Sequence, residues 1–201
     1  MELNLLNESE LETLYHAELV HDFPPAELKP LWAMTRMMEE GCYQPLVFVD
    51  NEEILGYALM LLEEERRCAL LDYLAVLRGR RNAGLGSRLL ALLGERFKGI
   101  IVESEAPDAP TEEENTLRRR RLAFYERCGF RMLDYECGLF GVHYRCLYRG
   151  PEKNDRTVLA VHQRVYSSHV PPAYLDRYVR LPLEQGEIVQ PISEWREELP
   201  S

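Results

Sequence analysis

A basic, glycine-rich turn lies between two apolar segments near the middle of the chain. The run from Ala69 to Leu77 is apolar apart from Asp72, which is typical of a buried strand, and leucines recur at helical spacing from Leu85 onward. The turn between them reads RGRRNAGLG. The first backbone N–H groups of a helix have no internal partner, and glycines let an anion approach them closely. The sequence therefore predicts a site for a ligand that carries phosphates.

The spacing of the turn excludes two common phosphate motifs. Gly79 and Gly84 have the separation found in a P-loop, but Leu85 and Gly86 stand where Lys and Ser or Thr are needed. The dinucleotide-binding fingerprint fails as well, because its third small residue is missing. The motif that remains is R-x-x-G-x-G at residues 81–86. A surface turn with solvated arginines is the alternative interpretation.

A second motif follows one predicted strand later. The segment AFYERCGF, Ala123–Phe130, has the pattern F/L-Y-x-x-x-G-F at the end of a predicted helix. Together the two motifs resemble the GNAT superfamily of N-acetyltransferases, whose R-x-x-G-x-G loop wraps the pyrophosphate of coenzyme A. The resemblance extends from about Leu46 to Arg149, with both motifs in the family's order.

The resemblance implies an α/β (α+β) GNAT fold. We expect a mixed, mostly antiparallel central sheet of about six or seven strands, flanked by helices, in which the parallel fourth and fifth strands splay apart. The apolar pattern predicts a hairpin over 46–61, the central strand over 69–77 and the next strand over 100–105. One acetyltransferase domain is predicted over 1–150, with a C-terminal helical extension, 151–201, packed on it or trailing from it.

The resemblance also implies a cofactor and the residues that hold it. The cofactor is acetyl-CoA, or coenzyme A, with its arm in the cleft between the splayed strands. The residues expected to bind it are Leu74, Ala75, Val76, Arg81, Asn82, Ala83, Gly84, Leu85, Gly86, Ser87 and Tyr125.

Acetyl transfer from a thioester to an amine requires a neutral amine, a stabilised oxyanion and a proton for the leaving thiolate. The resemblance implies direct attack in a ternary complex, without an acyl-enzyme. Tyr125 is the predicted acid, because a phenol has a pKa near that of a thiol. Asp72 or Glu103 is the predicted base, since an apolar setting would raise the pKa of either carboxyl group. A structural role for these two carboxylates is the alternative.

The resemblance implies that the acceptor lies against two early helices joined by an aromatic-proline turn. Phe23, Glu27 and Tyr43, with Glu105 on the fifth strand, are its candidate contacts, and a structural role for each is the alternative. We expect a small-molecule amine rather than a protein N-terminus or lysine. A different interpretation is a non-catalytic, CoA-binding regulatory or interaction module with the same fold.

Four arginines follow three glutamates on the helix predicted after Thr111. We interpret Arg118–Arg121 as a solvated face in which Glu114 pairs with Arg118 at the i, i+4 spacing. Contact with the phosphates of the cofactor is the alternative.

Composition narrows the class of protein further. The net charge of −10 disfavours nucleic acid as a partner, and no apolar run approaches the length of a membrane span. The five cysteines include no C-x-x-C pair, which predicts reduced thiols, and the five histidines have no ligand spacing, so no metal is predicted. We expect a cytoplasmic protein that is a monomer or a homodimer.

Overall fold

The structure, a computed structural model, describes residues 1–25, 27–63, 65, 68–80 and 84–192. Its strands are β1 Glu2–Leu5, β2 Tyr43–Asp50, β3 Glu53–Leu62, β4 Ala69–Val76, β5 Ile100–Glu105, β6 Arg131–Leu139, β7 Val142–Arg149 and β8 Val179–Arg180. Its helices are α1 Glu8–Leu14, a π-helical turn Tyr15–Leu19 that continues into α2 Val20–Asp22, α3 Leu31–Glu39, α4 Leu85–Arg96, α5 Glu112–Arg127, α6 Asp155–His169 and α7 Pro172–Tyr178.

The central sheet of the described residues has eight strands, in the order β1-β2-β3-β4-β5-β7-β6-β8. The prediction of a mixed, mostly antiparallel sheet is confirmed, but the count of six or seven strands was wrong. The extra strand, β8, is only two residues long and pairs with Gly138 and Leu139 of β6. Its sequence carries no alternation long enough to separate it from the end of the preceding helix.

The cleft predicted between the parallel strands is present. β4 and β5 pair only from Ala69 opposite Ile100 to Leu71 opposite Val102. The next residue of β4, Asp72, is a bulge, because it has no opposite residue on the neighbouring β3. A bulge bends a strand and redirects its side chains. Beyond these three pairs the two strands separate, which leaves a cleft.

The connection between the first helices and α3 is longer than an aromatic-proline turn. Pro30, in an extended conformation, is the N-cap of α3. The described residues 23–25 and 27–30 therefore belong to a loop, from which Glu27 and Lys29 line the cleft. Ala26 lies outside the described residues.

Two apolar clusters pack on opposite faces of the sheet. One includes Leu89 and Leu93 of α4 and Leu122 of α5. The other includes α1 and α3 together with Val161 and Val165 of α6. Within the described ranges, no helix is both long enough and apolar enough to serve as a membrane span.

Candidate active site

The cleft opens into a cavity of about 270 Å³. Its walls come from the 23–30 loop, β4, β5, α5, the β6–β7 hairpin and α6. Seven residues predicted from the sequence line it: Phe23, Glu27, Asp72, Leu74, Glu103, Glu105 and Tyr125. The other lining residues are Lys29, Leu71, Tyr73, Ser104, Arg121, Leu139, Phe140, Val142, Tyr144 and Tyr166.

The glycine-rich turn ends at one side of the cleft. Gly84 is the N-cap of α4 and has a left-handed backbone, with φ of +70°. A Cβ atom added there would meet nothing within 4 Å, so the outer side of the turn is open. The first helical hydrogen bond runs from the Arg88 N–H to the Gly84 carbonyl oxygen, at 3.3 Å. The N–H groups of residues 85–87 precede that bond and are available to an anion.

Part of the predicted cofactor loop is not described. Arg81, Asn82 and Ala83 lie outside the described residues. The second glycine of the motif, Gly86, has a packing role, because a Cβ atom there would lie 3.1 Å from the Phe124 ring. A larger residue at this position would require the Phe124 ring to shift by a few tenths of an ångström.

The β5-facing edge of β4 is exposed beyond Leu71. Leu74 and Ala75 pair with β3 on one side, but within the described sheet they have no ladder partner on the β5 side. Backbone groups of a strand edge bind extended ligands readily. This edge can therefore hold the amide-containing arm of a ligand whose phosphates lie at the start of α4.

Tyr125, near the C-terminal end of α5, lines the cavity. Its ring packs against Phe124 and Phe130, with centroid separations of 5.4 and 5.6 Å. Among the residues that the structure describes, none forms a hydrogen bond with its hydroxyl group. Burial raises the pKa of Tyr125 to about 12, so the phenol keeps its proton at neutral pH.

Asp72 is fixed by two donors. Lys29 Nζ lies 2.6 Å from Asp72 Oδ1, and Tyr43 Oη donates to Asp72 Oδ2 at 2.7 Å. Tyr43, predicted as an acceptor contact, is buried and does not line the cavity. It contacts Asp72 instead, and burial raises its pKa well above the usual value.

Glu103 has more partners than any other carboxylate described in the cavity. Its Oε1 accepts hydrogen bonds from His162 Nε2 and Tyr166 Oη, both at 2.8 Å, and Tyr166 Oη also lies 2.9 Å from Oε2. His162 is fully buried, and Tyr135 Oη lies 3.2 Å from its Nδ1. Burial acts to lower the pKa of His162, but hydrogen bonds with Cys146 and Glu103 raise it to about 9. At neutral pH, Glu103 and His162 therefore form a buried ion pair.

Glu105 joins two arginines of α5. Arg118 Nη2 lies 2.8 Å from Glu105 Oε1, and Arg121 Nη1 lies 2.5 Å from Oε2. Arg118 also donates to the Ala106 carbonyl oxygen at 2.8 Å. The predicted pairing of Arg118 with Glu114 is replaced by these contacts, because β5 presents a less exposed carboxylate.

Glu27 differs from the other carboxylates of the cavity. Across the described ranges, its carboxylate has no hydrogen-bond donor and no ion-pair partner. Burial, with a further contribution from the Glu105 carboxylate, raises the pKa of Glu27. A half-buried carboxyl group with free lone pairs and a raised pKa is suited to accept a proton.

Comparison with known proteins relates this chain to acetyltransferases. Residues 42–132 match the family model described as "Acetyltransferase (GNAT) domain". Over these residues the chain is similar to GNAT acetyltransferases. A curated relative, "Putative acetyltransferase YjbC" of Bacillus subtilis (strain 168), is 28% identical over 117 residues. The matched part is 58% of this chain and 56% of that protein, so it spans little more than half of the relative's length.

Solved structures have the same fold. A structure described as "Putative acetyltransferase from GNAT family" of Bacteroides thetaiotaomicron has a TM-score of 0.69 and 19% identity, over 87% of this chain and 98% of that one. A spermidine N-acetyltransferase of Vibrio cholerae, solved with CoA and spermine, has a TM-score of 0.51 and 11% identity, over 74% of this chain and 93% of that one.

The family match covers only part of the cavity and its surroundings. The turn at Gly84, the β4 edge and Tyr125 lie within the matched residues 42–132, whereas Glu27 and Tyr144 lie outside them. Segments before and after the match therefore complete the cavity.

Several polar residues at the cavity were not predicted as site residues. Among them, Lys29, Tyr144 and Tyr166 line the cavity, and His162 donates to Glu103 from α6. His162 and Tyr166 are four residues apart on α6 and lie on its buried face. The apolar spacing of α6 predicts which face of the helix is buried, but nothing in the sequence shows that this face packs against β5.

Proposed function

We propose that the protein transfers an acetyl group from acetyl-CoA to an amine, by direct attack in a ternary complex. The observation that carries the proposal is the position of Glu27 and Tyr125 in one cavity that adjoins an open helix N-terminus. Both side chains have polar groups free of described partners, and they can hold the two protons that such a reaction must move. The name of the relative YjbC and the fold of the solved acetyltransferases support this proposal.

The open turn at Gly84 fits the phosphates of coenzyme A, because the N–H groups of Leu85, Gly86 and Ser87 and the dipole of α4 favour negative charge there. The arm of coenzyme A would lie along Leu74, Ala75 and Val76 of β4. Arg81, Asn82 and Ala83 complete the predicted loop. When bound, acetyl-CoA supplies the activated thioester. A backbone N–H group of the β4 edge would hold the carbonyl oxygen of that thioester.

Glu27 would accept the proton of the acceptor's ammonium group. Asp72 and Glu103, the bases predicted from the sequence, are less suited, since Lys29 and His162 neutralise their charges. The Glu27 carboxylate forms no ion pair among the described residues, and its pKa is raised even though Arg121 and Arg118 act to lower it, so it can both attract an ammonium group and deprotonate it.

Tyr125 would donate a proton to the leaving sulfur. Its raised pKa means that the donor is protonated throughout the neutral range. Because that value exceeds the pKa of an ordinary thiol, the hydroxyl group would stabilise the developing thiolate by a hydrogen bond as the proton moves.

A small-molecule amine fits the cavity best. Aromatic rings of Phe23, Tyr73 and Tyr144 line it, and such rings stabilise an ammonium group through cation–π interactions. A second, apolar cavity that includes Trp32 and Met37 shares Lys29, Phe140 and Tyr166 with the first. An alkyl or aryl arm of the acceptor would occupy it. The Vibrio cholerae relative was solved with spermine, which makes polyamines the first comparison set.

The proposal is tested by calorimetric titration with acetyl-CoA and CoA, using the wild-type protein and Gly84→Trp. Gly41→Trp is a matched control, because Gly41 also has a positive φ and open space around its Cβ position but lies outside the cleft. We expect wild type and Gly41→Trp to bind and Gly84→Trp to lose binding. A folded wild-type protein that binds neither compound would refute the proposal.

Product formation is then measured with alkylamines, arylalkylamines and polyamines, and with peptides that have a free N-terminus or lysine. Transfer to a small amine supports the proposal in full. Transfer to peptides alone assigns a protein acceptor, and CoA binding without transfer to any acceptor favours the non-catalytic module.

A further inference from the structure

A second cluster of reactive side chains lies away from the cleft, where the end of α6 meets the start of β2. Cys42 Sγ, a carboxylate oxygen of Glu40 and a ring nitrogen of His169 all lie within 4.8 Å of one another. Glu40 follows α3, Cys42 precedes β2, and His169 is the last residue of α6. None of the three takes part in the proposed acetyl transfer.

The backbone of Leu62 holds two of these side chains in place. The Leu62 N–H donates to the Cys42 carbonyl oxygen at 2.7 Å, and His169 Nε2 lies 3.1 Å from the Leu62 carbonyl oxygen. A carbonyl oxygen only accepts, so His169 Nε2 carries the proton and Nδ1 has the free lone pair. That Nδ1 atom is buried and has no hydrogen-bond partner among the described residues.

A buried imidazole nitrogen without a hydrogen-bond partner lowers the stability of the protein unless it binds a ligand. Metal-bound histidines characteristically donate their other N–H to a backbone carbonyl, which sets the tautomer and the ring orientation. His169 has this arrangement. Beside it are a thiol and a carboxylate, the other two side-chain types that bind zinc.

We propose that Glu40, Cys42 and His169 form a binding site for a thiophilic divalent cation of the Zn²⁺ class. A tetrahedral zinc ion places its ligand atoms about 3.5 Å apart, as follows from Zn–S and Zn–N distances of about 2.3 and 2.1 Å. The three ligand atoms therefore need to approach one another by about 1 Å. Cys42 Sγ lies 3.9 Å from Glu40 Oε2, and the exposed Glu40 side chain would exchange its contact with Arg36 Nε, at 3.8 Å, for the ion.

The fourth position of the ion faces a surface cavity of about 340 Å³, so water can occupy it. The Cys42 thiol, which donates to the Met37 carbonyl oxygen at 3.2 Å without metal, would release its proton to solvent on binding. A thiolate and a carboxylate then balance the two positive charges of the ion.

The ion would join the central sheet to the C-terminal helices. Its ligands come from the α3–β2 connection and from the end of α6, the helix that carries His162 and Tyr166 to Glu103. Metal binding would therefore stabilise the packing of α6 behind the acceptor cavity. His169 is far from Glu40 and Cys42 in sequence, which is why no spacing motif predicts the site.

The test uses the full-length, reduced, chelator-treated protein. Zn²⁺ alone is titrated by calorimetry, and Co²⁺ alone is titrated by absorption, since a bound thiolate gives a charge-transfer band. We expect one ion per chain. Cys42→Ser and His169→Gln should each weaken binding by about 100-fold or more, and Glu40→Gln by about 10-fold. The matched controls Cys128→Ser and His16→Gln should bind as wild type does.

Thermal unfolding gives a second readout. The midpoint of the wild-type protein should rise with Zn²⁺ concentration, and that of His169→Gln should not. A wild-type protein that takes up no stoichiometric ion overturns the proposal, as does binding that persists in both Cys42→Ser and His169→Gln. If Cys42→Ser does not fold, the wild-type cobalt band and His169→Gln decide the matter. Neither result depends on acetyl transfer.

Discussion

Glu27 and Glu103 face the same cavity and are held in opposite ways. Glu103 lies on β5 and receives hydrogen bonds from Tyr166 and His162 on α6. Glu27 lies on a loop, and its carboxylate has no partner within the described ranges. The contrast separates two uses of a carboxylate in one site. Glu103 joins α6 to the sheet, and Glu27 is free to exchange a proton.

The charged forms of the two carboxylates are also stabilised to different degrees. Removing one partner of a buried ion pair is strongly destabilising because it leaves an uncompensated charge, and the raised pKa of His162 indicates that this pair is intact at neutral pH. The raised pKa of Glu27 indicates the reverse, because its charged form is incompletely stabilised. We therefore expect Glu103 to matter for stability. We expect Glu27 to matter for activity, even though its charged form is less well stabilised.

The largest expected effect is that of Glu27→Gln on activity. We expect kcat/KM for the amine to fall by about 10²- to 10⁴-fold, since the amide cannot accept the proton of the acceptor. Acetyl-CoA affinity, measured by calorimetry, should stay at the wild-type value. The thermal midpoint should stay equal or rise slightly, because the substitution removes a carboxylate with a raised pKa. Wild-type turnover by this variant would remove Glu27 from the mechanism.

Glu103→Ala should act on stability instead. It leaves the His162 cation buried without its partner, so we expect the free energy of unfolding to fall by about 3–5 kcal/mol. Denaturant unfolding measures the change. Glu113→Ala, at an exposed position on α5, is the control and should change stability by less than about 0.5 kcal/mol. A stable Glu103→Ala variant would mean that the network is not structural.

The pH dependence of kcat/KM sharpens the assignment of the base. A base must be deprotonated to act, so activity should fall about tenfold per pH unit below the pKa of Glu27. Because that pKa is raised, this acidic limb should lie above the usual range for a glutamate. Glu27→Gln should abolish the limb. If Glu103→Gln abolishes it and Glu27→Gln does not, Glu103 is the base.

The backbone features at the start of α4 were largely predictable from the sequence, because they depend on residue type. A left-handed glycine before α4 and the close approach at Gly86 are requirements on residue type, so they appear as a motif. Tyr125 was found in the same way, from a helix that ends at a glycine. The splayed strands followed from the family resemblance to which these motifs led.

The acceptor side was predictable only as a set of residues, without their pairing. Glu27 and Glu103 were both named as candidates, but nothing in the sequence showed which of them His162 and Tyr166 would contact. Those contacts are made across long sequence separations, and α6 shows only its own apolar periodicity. The two-residue strand β8 was missed for a similar reason, because it exists only through pairing with β6.

Tyr166→Phe should produce the smallest effect and is the most direct test of the division between the two carboxylates. It removes a hydroxyl group that lies 2.8 and 2.9 Å from the two oxygens of Glu103, but it leaves the hydrogen bond from His162. We expect the free energy of unfolding to fall by about 1–2 kcal/mol, the range for a hydrogen bond to a charged group when a second donor remains. Tyr178→Phe, at another buried ring near the cavity, is the matched control and should change stability by less than about 0.5 kcal/mol. The acidic limb of the pH profile should not move in Tyr166→Phe, because Glu27 sets it. A shift of the limb would mean that Glu103 and its partners exchange the proton, and the two carboxylates would then have exchanged roles.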